Sequence, residues 1–228
     1  MRAAIAWSHD LLTDDERLLF RHLSVFAGSF TLDAAEAVCG PQSTGDGRQM
    51  TGERVAVDRP LSTVNAVLDG VACLVDKSLI RREDEAEQPR FGMLETIREF
   101  AAEQRVAAGE TTDLSRRHAD YLLSLPREAE PRLYGPDQSR WFERLQHEHP
   151  NLRAALAWSI EQQDGETCLA LAAAIWPFWF TRGYLSEGRS WLERALALPG
   201  AAFSRSWVEA LHGLGALAHQ VGDYQRTL

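Results

Sequence analysis

The sequence predicts a mainly α-helical protein with one small β-hairpin, and two patterns in its 228 residues lead there. The first is the stretch Lys77 to Ala101, KSLIRREDEAEQPRFGMLETIREFA, where the helical period gives way to two short runs around a charged turn. Leu79 and Ile80 pass into Arg81, Arg82 and an acidic string ending at Pro89; Phe91, Met93 and Leu94 then lead into Ile97, Phe100 and Ala101 at helical spacing. The order is strand, turn, strand, helix. A lone hairpin is marginal in water, so its apolar side must rest on the helices before and after it, which is how a winged-helix unit is built. The second pattern is a run of paired helices after residue 136, punctuated by glycine. Together they divide the chain into a winged-helix domain at 1–105, a helical linker at 106–135 and tetratricopeptide-like helical repeats at 136–228.

The elements follow in order. Ala3 to Leu12 carries Ile5, Leu11 and Leu12, and Thr13-Asp14-Asp15-Glu16 after it is a capping-box pattern that starts a second helix near Asp14. Leu18, Leu19, His22, Leu23 and Phe26 share one face of that helix, with His22 at its boundary, and Gly28 stops it. Thr31 caps a short third helix, LDAAEAVC. Gly40 to Pro60, rich in glycine and charge without period, reads as a long irregular loop. Residues 62–75 then place Val64, Val67, Leu68, Val71, Leu74 and Val75 on a helix packed on one side, which enters the hairpin. After the hairpin, a helix runs to about Ala108, another starts at Asp113, and Pro126, Pro131 and Pro136 break the chain.

Beyond that junction Trp141, Phe142 and Leu145 form one face, Pro150-Asn151 restarts the chain into LRAALAWSI, and Asp164-Gly165 turns it. Cys168 to Arg182 is strongly apolar, and Gly183-Tyr184 separates it from a helix ending at Pro199. Leu214-Gly215, Ala218, Gly222-Asp223-Tyr224 and Thr227 fall on the tetratricopeptide spacing, with Gly215 expected at the tight helix crossing. Gly183, Gly188, Leu192, Ala195 and Pro199 form a looser copy. Such repeats need stacked neighbours. The chain is therefore expected to be a fragment of a longer array or the product of a truncated gene, with an end that frays near Leu211, Leu214, Leu217 and Val221.

Composition narrows the function classes. A formal net charge of −9 argues against a surface that follows a phosphate backbone, and residues 1–105 alone hold 12 basic and 18 acidic side chains, a net charge of −6. The helix that would enter a major groove, residues 62–76, has no arginine or lysine and carries Asp69 and Asp76. Arg81 and Arg82 are the candidates for DNA-backbone contact if the wing does touch DNA. The three cysteines, Cys39, Cys73 and Cys168, lie far apart with no metal or redox spacing. No apolar run reaches membrane-spanning length and the start lacks a secretion signal, so the expected location is cytoplasmic, with no membrane partner.

No catalytic or cofactor chemistry emerges. The sole lysine, Lys77, lies after Gly70 with the wrong spacing and an aspartate where a P-loop needs glycine. His147 and His149 are two apart and cannot share a helix face, His212 and His219 lack a third ligand, and Ser8-His9-Asp10 is contiguous where a triad is assembled from separate segments. The expectation is a non-enzyme with no catalytic, cofactor or metal residues. Trp176, Phe178, Trp179 and Phe180 form the densest aromatic cluster. It reads as core between stacked helices, with partner anchoring through Trp176, Trp179 and Tyr184 as the functional alternative.

Three segments carry a family likeness: AAIAWSHDLLTDDERLLFRHLSVFAGSFTLDAAEAVC; VLDGVACLVDKSLIRRE with RFGMLETIREFAAEQ; and HPNLRAALAWSIEQQDGE with FTRGYLSEGRSWLERAL. The chain resembles the winged-helix and tetratricopeptide portion of bacterial signal-transducing ATPases of the NB-ARC type (STAND ATPases), as in LuxR-type and AfsR-type transcriptional regulators. The resemblance implies an ATPase domain, with ATP or ADP, that precedes this portion and is absent here, and a separate DNA-binding domain, also absent. Partners would be that ATPase domain or another protein, and an unknown small-molecule or protein effector. Related switches carry a Met-His-Asp motif whose histidine contacts the nucleotide. Met93, Leu94 and Glu95 occupy that position without the histidine, and leucine cannot donate a hydrogen bond to phosphate, so the contact does not carry over.

Overall fold

The computed structural model describes residues 2–40, 64–83, 88–129, 136–200 and 204–221. Most of the expected loop at 40–60, the charged turn of the hairpin, Pro131 and the repeat positions Gly222-Asp223-Tyr224 and Thr227 lie outside the described residues. The chain divides into two compact units, Met1–His118 and Ala119–Leu228.

In the first unit α1 (Arg2–Asp10), α2 (Asp14–Leu23), β1 (Phe30–Thr31), α3 (Leu32–Cys39), α4 (Val64–Asp76), β2 (Arg81–Glu83), β3 (Arg90–Gly92) and α5 (Glu95–Ala107) follow in sequence. The capping box forms: the Thr13 amide donates to Glu16 Oε2 at 2.8 Å and the Glu16 amide donates to Thr13 Oγ1 at 3.3 Å. Thr31 Oγ1 caps α3 by accepting from the Ala34 amide at 3.2 Å. Leu19, Phe20 and Leu23 of α2, Ala34, Ala35 and Val38 of α3, Val67 and Leu74 of α4 and Ala101 of α5 are closed off from water together. Each fully buried leucine or phenylalanine contributes about 1.5–3 kcal/mol. His22 is buried within this layer, close to Glu110.

The hairpin differs from the sequence expectation in two ways. Its strands are Arg81–Glu83 and Arg90–Gly92, one step beyond the apolar pair, because the amides of Leu79 and Ile80 both bond back to the Leu74 carbonyl and end α4. Leu79 and Ile80 enter the core from that turn. The sheet also has a third strand, β1, in the order β1-β3-β2, with Phe30 opposite Phe91 and Thr31 opposite Arg90. Helix, strand, helix, helix and hairpin in this order make a winged helix. Two residues are too few to produce an alternation, so β1 leaves no periodic trace in the sequence.

The second unit holds the end of α6 (Thr111–Ala129), then α7 (Gln138–Glu161), α8 (Gly165–Arg182), α9 (Leu185–Leu196) and α10 (Arg205–Val221). Here two prolines overturn expectation: α6 runs through Pro126 and α7 through Pro150 without a break, as α8 does through Pro177. An interior proline removes one ladder bond at roughly 3 kcal/mol. In α7 that cost is outweighed by one continuous buried stripe, Trp141, Phe142 and Leu145 before Pro150 and Leu152, Ala155 and Leu156 after it. α8 is buried nearly all round because α7, α9 and α10 all pack on it, which explains its lack of amphipathic period. Asp164 caps its start, accepting from the Thr167 amide at 3.1 Å, and Gly183 ends it in the left-handed conformation, φ 78°.

Glycines set the close helix crossings. A Cβ on Gly188 of α9 would lie 2.8 Å from the Trp179 ring, and one on Gly213 of α10 would lie 2.5 Å from Trp176 Cγ. The crossing glycine of the last helix is thus Gly213, not Gly215, whose Cβ would meet nothing within 4 Å. The repeat spacing placed a glycine here, but contact with Trp176 selects the one two residues earlier.

Candidate functional site

The wing and the helix before it come first. α4 turns Val67, Val71 and Leu74 inward and leaves Leu68, Asp69, Ala72 and Asp76 exposed. Lys77 at its end donates from Nζ to Glu16 Oε2 at 2.7 Å, and Cys73 Sγ lies 2.6 Å from Glu16 Oε1. Burial alone would raise the Glu16 carboxyl, but the bonds from Cys73, Lys77 and the Thr13 amide outweigh it and bring it down to about 2. Lys77 therefore belongs to a structural ion pair. Arg81 and Arg82 lie exposed on β2, where Arg81 Nη2 donates to Glu83 Oε1 at 3.1 Å. Arg90 is buried: its Nε donates to Ser29 Oγ and its Nη2 to the Ser29 carbonyl, both at 2.8 Å, tying β3 to the segment before β1.

At the position of the nucleotide motif, Leu94 is the exposed N-cap of α5 and makes no side-chain cap bond. Glu95 starts the helix and receives two bonds from Arg98, at 2.9 and 2.6 Å, which hold its carboxyl below the usual range.

In the second unit the three aromatic candidates separate. Trp179 is 1% exposed, under Gly188, and offers no surface to a partner. Tyr184 packs against His149, tilted 46° with ring centroids 4.5 Å apart, and shares hydrogen bonds with Gln146. It belongs to a network that ties α7 to α9. In it His149 Nε2 lies 3.1 Å from Glu187 Oε1, Arg153 grips Glu187 through Nε and Nη2, and Trp191 Nε1 donates to Glu187 Oε1 at 3.3 Å. Burial lowers the His149 pKa, partly offset by Glu187. Glu187 itself is lowered: burial opposes this, and Arg153 and His149 prevail. His147 is exposed while His149 is buried, as their spacing requires. Among the described residues no group of three His, Cys, Asp or Glu side chains could hold a metal ion.

Trp176 behaves differently. Half-buried on α8, it lines an open cavity of about 670 Å³ with Pro126 and Arg127 of α6 and Arg205, Val208 and His212 of α10. Its ring centroid lies 5.4 Å from that of His212. The sequence singles out Trp176 but not the cavity, because Pro126 looks like a helix end and nothing local links Arg127 to residues of α10.

Comparison with known proteins adds a regulatory context. Proteins of Mycobacterium tuberculosis (strain ATCC 25618 / H37Rv) and Mycobacterium bovis, whose names assign them provisionally as HTH-type transcriptional regulators, are 38% identical to this chain over 196 residues. The match covers 86% of this chain and 20% of each of theirs. The chain thus spans about a fifth of these relatives. A further M. tuberculosis protein, uncharacterized by name, is 31% identical over 120 residues, covering 53% of this chain and 26% of its own length. No family model matches the chain. No solved structure matches it either. Among the described residues, no helix is long and apolar enough to cross a membrane.

Proposed function

We propose that this chain is a non-catalytic regulatory segment of a transcriptional regulator of the LuxR or AfsR type, acting in the cytoplasm. In this proposal the winged helix packs on an ATPase domain of the parent protein, and the tetratricopeptide-like helices respond to an effector. ATP or ADP binds that ATPase domain, and DNA is held by a domain outside this chain. The observation that carries the proposal is the outer face of α4. A helix-turn-helix places its second helix in the major groove and needs donors to base edges there. α4 instead presents Leu68, 48% exposed, with Asp69, Ala72 and Asp76, a surface suited to protein and repelled by phosphate. Trp7 of α1 and Leu11 just after it are 67% and 58% exposed, apolar side chains open to a protein partner. The regulator names of the 38%-identical relatives support the regulatory part, and the resemblance to NB-ARC-type ATPases supports the choice of partner.

The deciding experiment is fluorescence anisotropy of purified residues 1–228 with genomic DNA fragments across a salt series. The expected result is weak, sequence-indifferent binding. Sequence-selective nanomolar binding would overturn the proposal. Arg81 and Arg82, exposed on β2, favour a second reading in which the wing itself grips DNA. Under that reading, changing both to alanine lowers affinity and flattens the salt slope by about two phosphate contacts.

A further inference from the structure

The cavity beside Trp176 has a composition that selects a ligand. Its volume, about 670 Å³, lies within the usual range for small-molecule sites. Ala173 and Ala174 of α8 line it with methyl groups that leave the space open, and Trp176 and Val208 line it with larger apolar side chains. Gly213 lets α10 pass directly over Trp176, so the indole is clamped in place without filling the space. The lining also carries the charges of Arg127, Arg205 and Glu209. Arg205 Nε donates to Glu209 Oε1 at 2.6 Å, so those two charges offset each other and the lining keeps one net positive charge, on Arg127, in a chain whose net charge is −9. Pro177, also in the lining, has no amide hydrogen, so the Ala173 carbonyl lacks the donor it would have had from residue 177.

We infer that this cavity binds a small aromatic monocarboxylate, with its ring against Trp176 and Val208 and its carboxylate on Arg127. The ring is selected by the indole and the neighbouring His212 imidazole, both able to stack on a flat partner. A single negative charge is selected by the single unbalanced guanidinium, which can grip a carboxylate with two parallel hydrogen bonds. A second negative charge on the ligand would find no second unbalanced cation in the lining. The inference rests on the effector-sensing part of the function proposed above, and it names the chemistry of the effector.

Isothermal titration of residues 1–228 with indole-3-carboxylate tests it, with indole-3-carboxamide and cyclohexanecarboxylate as the neutral and the non-aromatic controls. The acid should bind about tenfold more tightly than either control, the loss expected when one charged hydrogen-bonded pair or one stacked ring is removed. Arg127→Ala, on an exposed side chain, should cost about the same factor. Ala174→Trp should abolish binding by filling the space. Circular dichroism checks that this variant folds, and Arg127→Ala decides alone if it does not. Equal affinity for the acid and its amide, unchanged affinity in Arg127→Ala, or no binding of the acid below about 1 mM overturns the assignment. Neither DNA nor transcription enters this readout. Sequence-selective DNA binding by 1–228 would therefore end the reading in which DNA is held outside this chain and leave the site, whereas an indifferent cavity would end the site and leave that reading.

Discussion

At the residue scale, two ionisable groups, Glu16 half-buried and His118 fully buried, both cost the fold stability in acid, over different pH windows. The Glu16 carboxyl is depressed to about 2 in the folded chain by its bonds from Cys73, Lys77 and Thr13 despite burial. The folded state therefore holds this proton less tightly than the unfolded chain, and the stabilisation is complete above the ordinary value of 4.5 and lost as pH falls toward about 2. Glu16→Gln should lower the urea midpoint at pH 7, with the gap to the parent closing through that window. A constant gap from pH 7 to pH 2 would mean that the lost contacts, not the charge, matter. His118 is fully buried, edge-on to Phe26 at 5.1 Å, and burial followed by the Arg105 charge pushes its pKa down to about 3. The unfolded chain takes up this proton below 6.5 and the folded chain does not, so stability falls between pH 6.5 and about 3. His118→Phe should flatten that part of the pH profile in chemical denaturation. An unaltered slope would place the acid sensitivity elsewhere.

At the element scale, the crossings of α8 with α9 and α10 are the places where one methyl group decides packing. Gly188→Ala and Gly213→Ala each drive a Cβ to within 3 Å of a tryptophan at or beside its Cβ, atoms that cannot swing aside, and should cost about 1–3 kcal/mol. Gly215→Ala meets nothing and should be neutral or stabilising by up to about 1 kcal/mol through helix propensity. Thermal denaturation of the three variants separates these outcomes, and a destabilised Gly215→Ala would return the crossing to the position expected from repeat spacing. The same contrast shows what was legible. Capping signals at Thr13 and Thr31 and the buried stripe of α2 follow from neighbours within a few residues, and the structure has them as expected; on α4 Val67, Val71 and Leu74 turn inward as expected, but Leu68, beside them on the helix, lies 48% exposed. Pro126 and Pro150 were misleading because the burial that offsets each lost bond comes from other helices.

At the scale of the molecule, protection should be uneven within the second unit. α8 is enclosed by three helices, whereas α10 leaves Val208 61% and Leu211 41% exposed. Of the residues expected at a frayed end, Leu217 is buried and Leu214 half-buried, so the open side of α10 is Val208 and Leu211. Hydrogen exchange should be faster in 205–221 than in 165–182, because local opening costs least where the fewest apolar contacts are lost. Equal protection in a monomeric sample would contradict this. An exposed apolar side of this kind favours self-association at high concentration, which sedimentation would report.

The sequence by itself determined the mainly helical class, the hairpin, the helix caps and the acidic α4, because each depends on periodicity or on contacts a few residues apart. Only the tertiary structure decided that β1 joins the hairpin, that Arg90 is an internal strut, that Trp179 is core while Trp176 faces a cavity, and that Gly213 makes the crossing. Each of those depends on which distant side chain arrives opposite. No local pattern records that, because packing is set by the shapes of both partners at once.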